Sequence, residues 1–365
     1  MKAGKRITEM PAYTPIEPVD ILASRLGMPV EKIVKMDANE NPYGPSPLVR
    51  EALASMDMVH IYPDPESRLL RDALAEAHGV PVNNLLAGSG ADELIDLLAR
   101  VVVEPGDSTL ICPPTFGMYS FDSLLNYGEC VVIPRQADFS LDLTAIGKAV
   151  EEKKPKIIFA CSPNNPDGRL MTPEEIDFLL GLPSLIVLDE AYIEFTQENL
   201  DLGRGRTLIR QVPQRDNLII LRTFSKWAGL AGLRVGFGAF PSWLMDSLWK
   251  AKQPYNVNLA ASTAAIASLK DREYLARNVA KLQSERDVLF NRLSDIPFLK
   301  PYPSQSNFIL CKANGLPARQ IKTELAAKGV FIRYYDNDLL RDFIRISVGR
   351  PQDTVELIRQ LEGLK

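Results

Sequence analysis

The sequence predicts an α/β protein. It has a large domain with a mostly parallel sheet flanked by helices, a smaller α+β carboxyl-terminal domain, and an amino-terminal arm. Three observations predict this. Short apolar runs alternate with segments of helical period through the first two thirds of the chain. The alternation stops after Gln253-Pro254-Tyr255, where a long helical stretch and further short strands follow. The segment 11–18 contains three prolines, which favour an extended chain. The corresponding limits are 1–36 for the arm, 37–255 for the large domain and 256–365 for the small one.

The elements follow in order. Residues 67–78 place Leu69, Leu70, Ala73, Leu74 and Ala77 on one helical face. Residues 91–103 repeat that pattern, and Glu104-Pro105-Gly106-Asp107 ends it. Strands are expected at 109–112, 131–134, 156–161, 185–189, 218–222 and 235–239, with helices at 118–125, 143–152 and 173–180 between them. In the small domain the pattern predicts helix over 258–295, interrupted near 270–274. Strands at 308–312, 330–334 and 344–348 and helices at 318–328 and 353–362 follow.

Composition narrows the function classes. A hydrophobic content of 46%, a charged content of 24% and a formal net charge of −4 fit a globular protein without the basic field of a nucleic-acid binder. The four cysteines form no CxxC pair and there are only two histidines, which argues against a zinc site. Cys112 and Cys161 sit in apolar runs, as free thiols of a reducing compartment do. The first ten residues are polar, with neither the apolar core of a secretory signal nor the Arg- and Ser-rich character of a transit peptide. No apolar run is long enough to span a membrane. The expected location is the cytoplasm.

Four segments carry candidate chemistry. In Thr223-Phe224-Ser225-Lys226 a lysine follows the apolar run Leu218-Ile219-Ile220-Leu221, with Gly232-Leu233-Arg234 downstream. A desolvated lysine there is an amine nucleophile for carbonyl compounds, and the serine and arginine suit a phosphate. The other reading is a surface lysine beside a flexible loop. In Ser162-Pro163-Asn164-Asn165-Pro166-Asp167-Gly168, after a strand, Asn165 can donate to a ring oxygen, or the segment is turn chemistry alone. Asp189 ends another apolar run and needs a cation, either a protonated heterocyclic nitrogen or a structural arginine. Tyr192 is three residues on. Gly88-Ser89-Gly90-Ala91-Asp92-Glu93 opens a helix whose first N–H groups can hold an anion, or Ser89 and Asp92 simply cap it. Together, a phosphate site, a ring-oxygen donor, a carboxylate, an amine and a second phosphate cation match pyridoxal 5′-phosphate, whose ring works as an electron sink when its nitrogen is held protonated.

With those residues in place, the chain resembles the fold-type I pyridoxal-phosphate-dependent transferases of the aspartate aminotransferase superfamily. It is most similar to the histidinol-phosphate aminotransferase family in its plant and photosynthetic-bacterium branch. The resemblance runs from about Asp37 to Leu364. Besides the segments above, Asp37-Ala38-Asn39-Glu40-Asn41-Pro42-Tyr43-Gly44, Tyr62-Pro63-Asp64, Cys112-Pro113-Pro114-Thr115-Phe116 and Arg345-Ile346-Ser347-Val348-Gly349 carry it. It implies that Lys226 forms a Schiff base with pyridoxal 5′-phosphate and shuttles the proton. Asp189 would pair with the ring nitrogen, and Asn165 and Tyr192 would hold the ring hydroxyl. Ser225, Arg234 and the backbone of Ala91 and Asp92 would hold the phosphate, and Phe116 would stack on the ring where tyrosine is common. Tyr62 would reach the phosphate of a neighbouring subunit, making a homodimer with shared active sites. Arg345 would take the carboxylate of glutamate and the phosphate of the phosphorylated amino alcohol in turn, with Arg333 assisting. Asn39 is a pocket residue with a weaker warrant, as are Asn41, Tyr255 and Asn258. The arm carries Ile16 where the family often has tyrosine. The implied reaction is reversible transamination between glutamate and histidinol phosphate, with small-molecule substrates and neither nucleic acid nor membrane as partner. An aromatic aminotransferase or a threonine-phosphate decarboxylase on the same scaffold is the alternative. A ligand-sensing regulator with a DNA-binding domain ahead of Asp37 is a further one, which the intact lysine and aspartate speak against.

Overall fold

The computed structural model describes residues 4–10, 16–196, 202 and 205–364. Its strands in chain order are β1 (Val34–Met36), β2 (Leu85–Gly88), β3 (Ser108–Ile111), β4 (Glu129–Val132), β5 (Ile157–Cys161), β6 (Leu185–Asp189), β7 (Leu218–Thr223), β8 (Gly236–Ala239), β9 (Leu299–Pro301), β10 (Phe308–Ala313), β11 (Val330–Tyr334) and β12 (Phe343–Ser347). Seven form one sheet in the order β2-β8-β7-β6-β5-β3-β4. Its pairings are parallel from β4 to β7, and β8 runs antiparallel to both β7 and β2.

The central strands β5, β6 and β7 are buried along their whole length, which is why they read as unbroken apolar runs. Alternate residues feed two cores. Phe159, Val187 and Ile219 pack with Leu94, Ile95 and Leu98 of the helix Gly90–Val102 on one face. Ile158, Ile186 and Ile220 pack with Ile146 and Leu179 of two other helices on the opposite face. Because β2 and β5 to β7 point the same way, the residues that follow them gather at one edge of the sheet, where ligands bind in open α/β folds.

The second sheet has the order β1-β11-β12-β10-β9. The helices Leu259–Lys270 and Arg272–Ser294 meet at Asp271, within the interruption expected from the sequence. Two differences from the sequence reading stand out. Residues 34–36, assigned to the arm, pair in parallel with β11 and so form an edge of the second sheet, and the helix Val19–Leu26 precedes them. A strand of three residues has too little alternation to read from sequence; its partner, near the other end of the chain, defines it. Strands β2 and β9 and the helices Pro47–Ala54 and Ser242–Ala251 also escaped the pattern. The proline-rich arm segment lies partly outside the described residues, which leave out 11–15.

Candidate active site

A cavity of about 570 Å³ opens at the carboxyl edge of the large sheet and reaches β11 and β12 of the second one. It brings together Asn39, Ala91, Asp92, Phe116, Asn165, Asp189, Tyr192, Ser225, Lys226, Arg234, Arg333 and Arg345. Among the residues singled out from sequence for cofactor and substrate, Tyr62, Asn41, Tyr255 and Asn258 are not part of this wall; Tyr62 lies farthest from the expected role. It is 79% exposed and stacks on Tyr255 at 4.7 Å. Asn41 is buried beside the cavity and donates to the Trp227 carbonyl at 3.0 Å.

Asp189 closes β6 and is almost fully buried. Its Oδ2 accepts from the Tyr119 hydroxyl at 2.6 Å and its Oδ1 from the Ala191 N–H at 3.0 Å. Burial pushes the carboxyl up to about 6 despite both hydrogen bonds. No cationic side chain among the described residues pairs with it. Tyr119, on the helix Met118–Leu125, stacks on Phe159 at 5.1 Å and meets Phe116 edge-on at 5.6 Å. The sequence pattern does not single out Tyr119, which shares the buried face of its helix with the polar residues Asp122 and Ser123.

Lys226 follows β7 in a short loop held by the Thr223 side chain. Thr223 Oγ1 accepts from the Ser225 N–H at 3.1 Å and donates to Ser225 Oγ at 3.0 Å. The lysine Nζ donates to the Ala38 carbonyl at 3.2 Å. Burial pulls the ammonium down to about 8, with the Arg345 charge acting in the same direction. The amine is therefore half deprotonated near pH 8, where an ordinary lysine is almost wholly protonated, which suits a nucleophile and proton carrier.

The anion end lies at the start of the helix Gly90–Val102. Arg234 reaches Asp92 at 2.8 Å and Ser225 Oγ at 3.5 Å. Gly90 has φ +81°, and a Cβ there would sit 2.7 Å from the Arg234 guanidinium. A Cβ on Gly236 would come within 2.6 Å of the Ala91 nitrogen. Two positions without side chains thus let a strand, a helix start and a guanidinium converge on one small concavity.

At the far wall, Asn39 is held in a left-handed conformation, φ 55°, by its neighbours. Its N–H donates to Ser347 Oγ at 2.8 Å, its Oδ1 accepts from that hydroxyl at 2.9 Å, and its Nδ2 donates to the Tyr192 hydroxyl at 3.1 Å. Burial raises the Tyr192 phenol above its ordinary value. Arg345 is buried, donating to Asn165 Oδ1 at 2.7 Å and to the Asp37 carbonyl at 2.7 Å, and its Nε has no partner. Arg333 stands directly opposite it on β11. Neither guanidinium has a carboxylate partner among the described residues.

These residues fit pyridoxal phosphate on their own chemistry. A buried carboxylate without a cation suits a pyridinium nitrogen. The helix start with Ser225 and Arg234 suits the phosphate, Phe116 the ring face, and the Lys226 amine the aldehyde. Asn165 spends its oxygen on Arg345, so its amide nitrogen is left for the ring oxygen.

Such a site on such a sheet defines a pyridoxal-phosphate-type transferase. The chain belongs to the aminotransferase class I and II family, whose model matches residues 31–361. It is 51% identical to the chloroplastic histidinol-phosphate aminotransferase of Nicotiana tabacum over 98% of this chain and 85% of that protein. It is 46% identical to the histidinol-phosphate aminotransferase of Roseiflexus castenholzii over 98% and 96%. Among solved structures, it resembles histidinol-phosphate aminotransferase from Sinorhizobium meliloti in complex with pyridoxal 5′-phosphate. That likeness has a TM-score of 0.88 at 29% identity, covering 99% of this chain and 98% of the other. Among the described residues there is no group of side chains arranged to hold a metal ion, and no helix long and apolar enough to cross a membrane.

Proposed function

We propose that the chain is a pyridoxal-phosphate-dependent transaminase that moves an amino group between L-glutamate and imidazole acetol phosphate, giving 2-oxoglutarate and L-histidinol phosphate, reversibly, as a step of histidine biosynthesis. The observation that carries this reading is one cavity with a lysine of lowered basicity at its base and two guanidiniums without carboxylate partners at its rim. The first suits amine and carbonyl chemistry. The second suits substrates that bear a carboxylate in one half-reaction and a phosphate in the other.

Bound pyridoxal phosphate supplies the carbonyl carbon and the electron sink. The protein's own residues do the rest. Asp189 stays ionised against the ring nitrogen and holds its proton, and the Tyr119 hydroxyl fixes the carboxylate from the other side. The Lys226 amine would hold the cofactor's aldehyde and, when free, would carry the proton lifted from the substrate Cα. Asn165 and Tyr192 would hydrogen-bond the ring oxygen. Arg345 aligns the substrate anion so that the Cα–H bond faces Lys226, with Arg333 as second cation and Asn39 shaping the wall. Glutamate and the phosphorylated substrate use the same cavity in turn, so the kinetics are ping-pong.

The test is product formation from L-histidinol phosphate and 2-oxoglutarate by the purified, cofactor-loaded protein. Stoichiometric glutamate is expected. Carbon dioxide from threonine phosphate, or turnover of phenylalanine or tyrosine with none of histidinol phosphate, would replace this substrate with another on the same scaffold.

The active unit in this reading is a homodimer. Tyr62 and its exposed apolar neighbours Met58, Val59 and Ile61 supply a face for the second copy, and Tyr62 would reach the cofactor phosphate of that copy. Light scattering that returns a monomer of full activity would remove this part. The proposed division at residues 36 and 255 separates a cofactor-holding unit from one that carries the substrate arginines. The four unpaired cysteines fit a reducing compartment, and the cytoplasm is the location we propose, with cell fractionation as its check.

A further inference from the structure

Two cations stand closer together at the cavity rim than their own chemistry favours. Arg333 on β11 and Arg345 on β12 are direct cross-strand partners. Like charges in that relation destabilise a sheet. No carboxylate among the described residues separates them. What lies against both is an aromatic ring. Tyr335, the residue after β11, has the Arg333 guanidinium carbon 5.4 Å from its ring centroid and the Arg345 carbon at 5.9 Å. Phe308 of β10 supports Arg345 from another direction at 5.2 Å. Tyr335 also lines the cavity.

We infer that Tyr335 is a positioning residue for the substrate anion, acting through Arg333 and Arg345. Its π face draws both guanidiniums and screens their repulsion while the rim is empty. Arg345 is already held by Asn165 and the Asp37 carbonyl, so the ring chiefly keeps the Arg333 fork turned toward the cavity, and an entering phosphate finds two donors already in place. A dianion gains more from a held pair of cations than a single carboxylate does. The residue should therefore bias the site toward the phosphorylated substrate over glutamate. This rests on the reading that the rim binds the substrate phosphate.

The test uses the cofactor-loaded protein and inorganic phosphate as the probe, followed by calorimetry, so that it does not depend on which amine is the substrate. Tyr335→Leu is expected to weaken phosphate binding about five- to thirtyfold, from the loss of two cation–π contacts. Tyr335→Phe keeps the ring face and should recover most of that affinity. In an Arg333→Met background, Tyr335→Leu should cost distinctly less, because one of the two contacts is already gone. In turnover, KM for histidinol phosphate should rise several times more than KM for glutamate, with a smaller change in kcat. The inference is overturned if Tyr335→Leu binds phosphate as the unmodified protein does. It is equally overturned if Tyr335→Phe loses as much as Tyr335→Leu, or if the loss is the same with and without Arg333. Failure of histidinol phosphate as a substrate, with the phosphate pattern intact, would instead count against the proposed function alone.

Discussion

The two ends of the cavity are built by different means. At the Asp189 end, the functional groups sit at or a few residues beyond the carboxyl ends of buried parallel strands, Asp189 on β6, Asn165 after β5 and Lys226 after β7, and the backbone fixes their positions. At the Arg345 end, the groups project from neighbouring antiparallel strands and are placed by what their side chains touch: an amide, a carbonyl and two aromatic rings. The first end carries charge that burial has made expensive, a carboxyl near 6 and an ammonium near 8. The second carries two cations without carboxylate partners. The contrast teaches that this protein concentrates reactivity where the backbone itself fixes position, the stiff end, and recognition where side-chain contacts do.

The sharpest way to test that contrast is to remove one group from each end. Lys226→Ala removes the amine proposed to form the Schiff base and the proton carrier proposed for Cα. Turnover should fall at least about a thousandfold, with the circular dichroism of the fold unchanged. Rapid mixing with glutamate should show no conversion on the timescale of the unmodified enzyme. A variant that kept a tenth of the activity would break the assignment of reactivity to this end.

Arg345→Leu belongs to the other end and should act on affinity more than on the chemical step. It removes a buried charge-assisted donor, so kcat/KM should drop about tenfold to several hundredfold for both half-reactions. Arg333→Met should fall mainly on the phosphorylated substrate. Steady-state kinetics with each substrate varied in turn separates the two arginines. Equal losses for glutamate and histidinol phosphate in Arg333→Met would show that the rim does not divide its labour as proposed.

The same contrast explains what could be seen in the sequence. Lys226, Asp189 and Asn165 were legible because a parallel strand buried on both faces leaves an unbroken apolar run, and the polar residue after it is conspicuous. The helix opening at Gly90 was legible from small residues beside acidic ones. Arg333 and Arg345 were placed on strands by pattern, but their opposition depends on antiparallel register between segments that periodicity does not pair. Tyr119 and Tyr335 were not singled out. A buried phenol that serves a carboxylate and a half-buried ring that serves two arginines both look like ordinary packing until a partner from elsewhere in the chain is in place. The strand Val34–Met36 fell to the arm for the same reason, since its partner is β11.

The smallest effect concerns stability and reads the stiff end directly. In the cofactor-free protein, burial raises the Asp189 carboxyl to about 6, from about 3.9 in the unfolded chain. Between those values the native state holds a proton that the unfolded state has released. The sign follows: this contribution to stability is fully present below about pH 4 and is lost as the pH rises through about 6. Asp189→Asn keeps an acceptor for the Tyr119 hydroxyl but cannot ionise. Urea unfolding of the two cofactor-free proteins at a series of pH values should show the unmodified protein losing on the order of 3 kcal/mol relative to the variant over that window. Adding pyridoxal phosphate should reverse the trend, because a pyridinium partner makes the ionised carboxylate the favoured form. Parallel pH profiles in the cofactor-free proteins would mean that water or a shifted side chain already solvates Asp189.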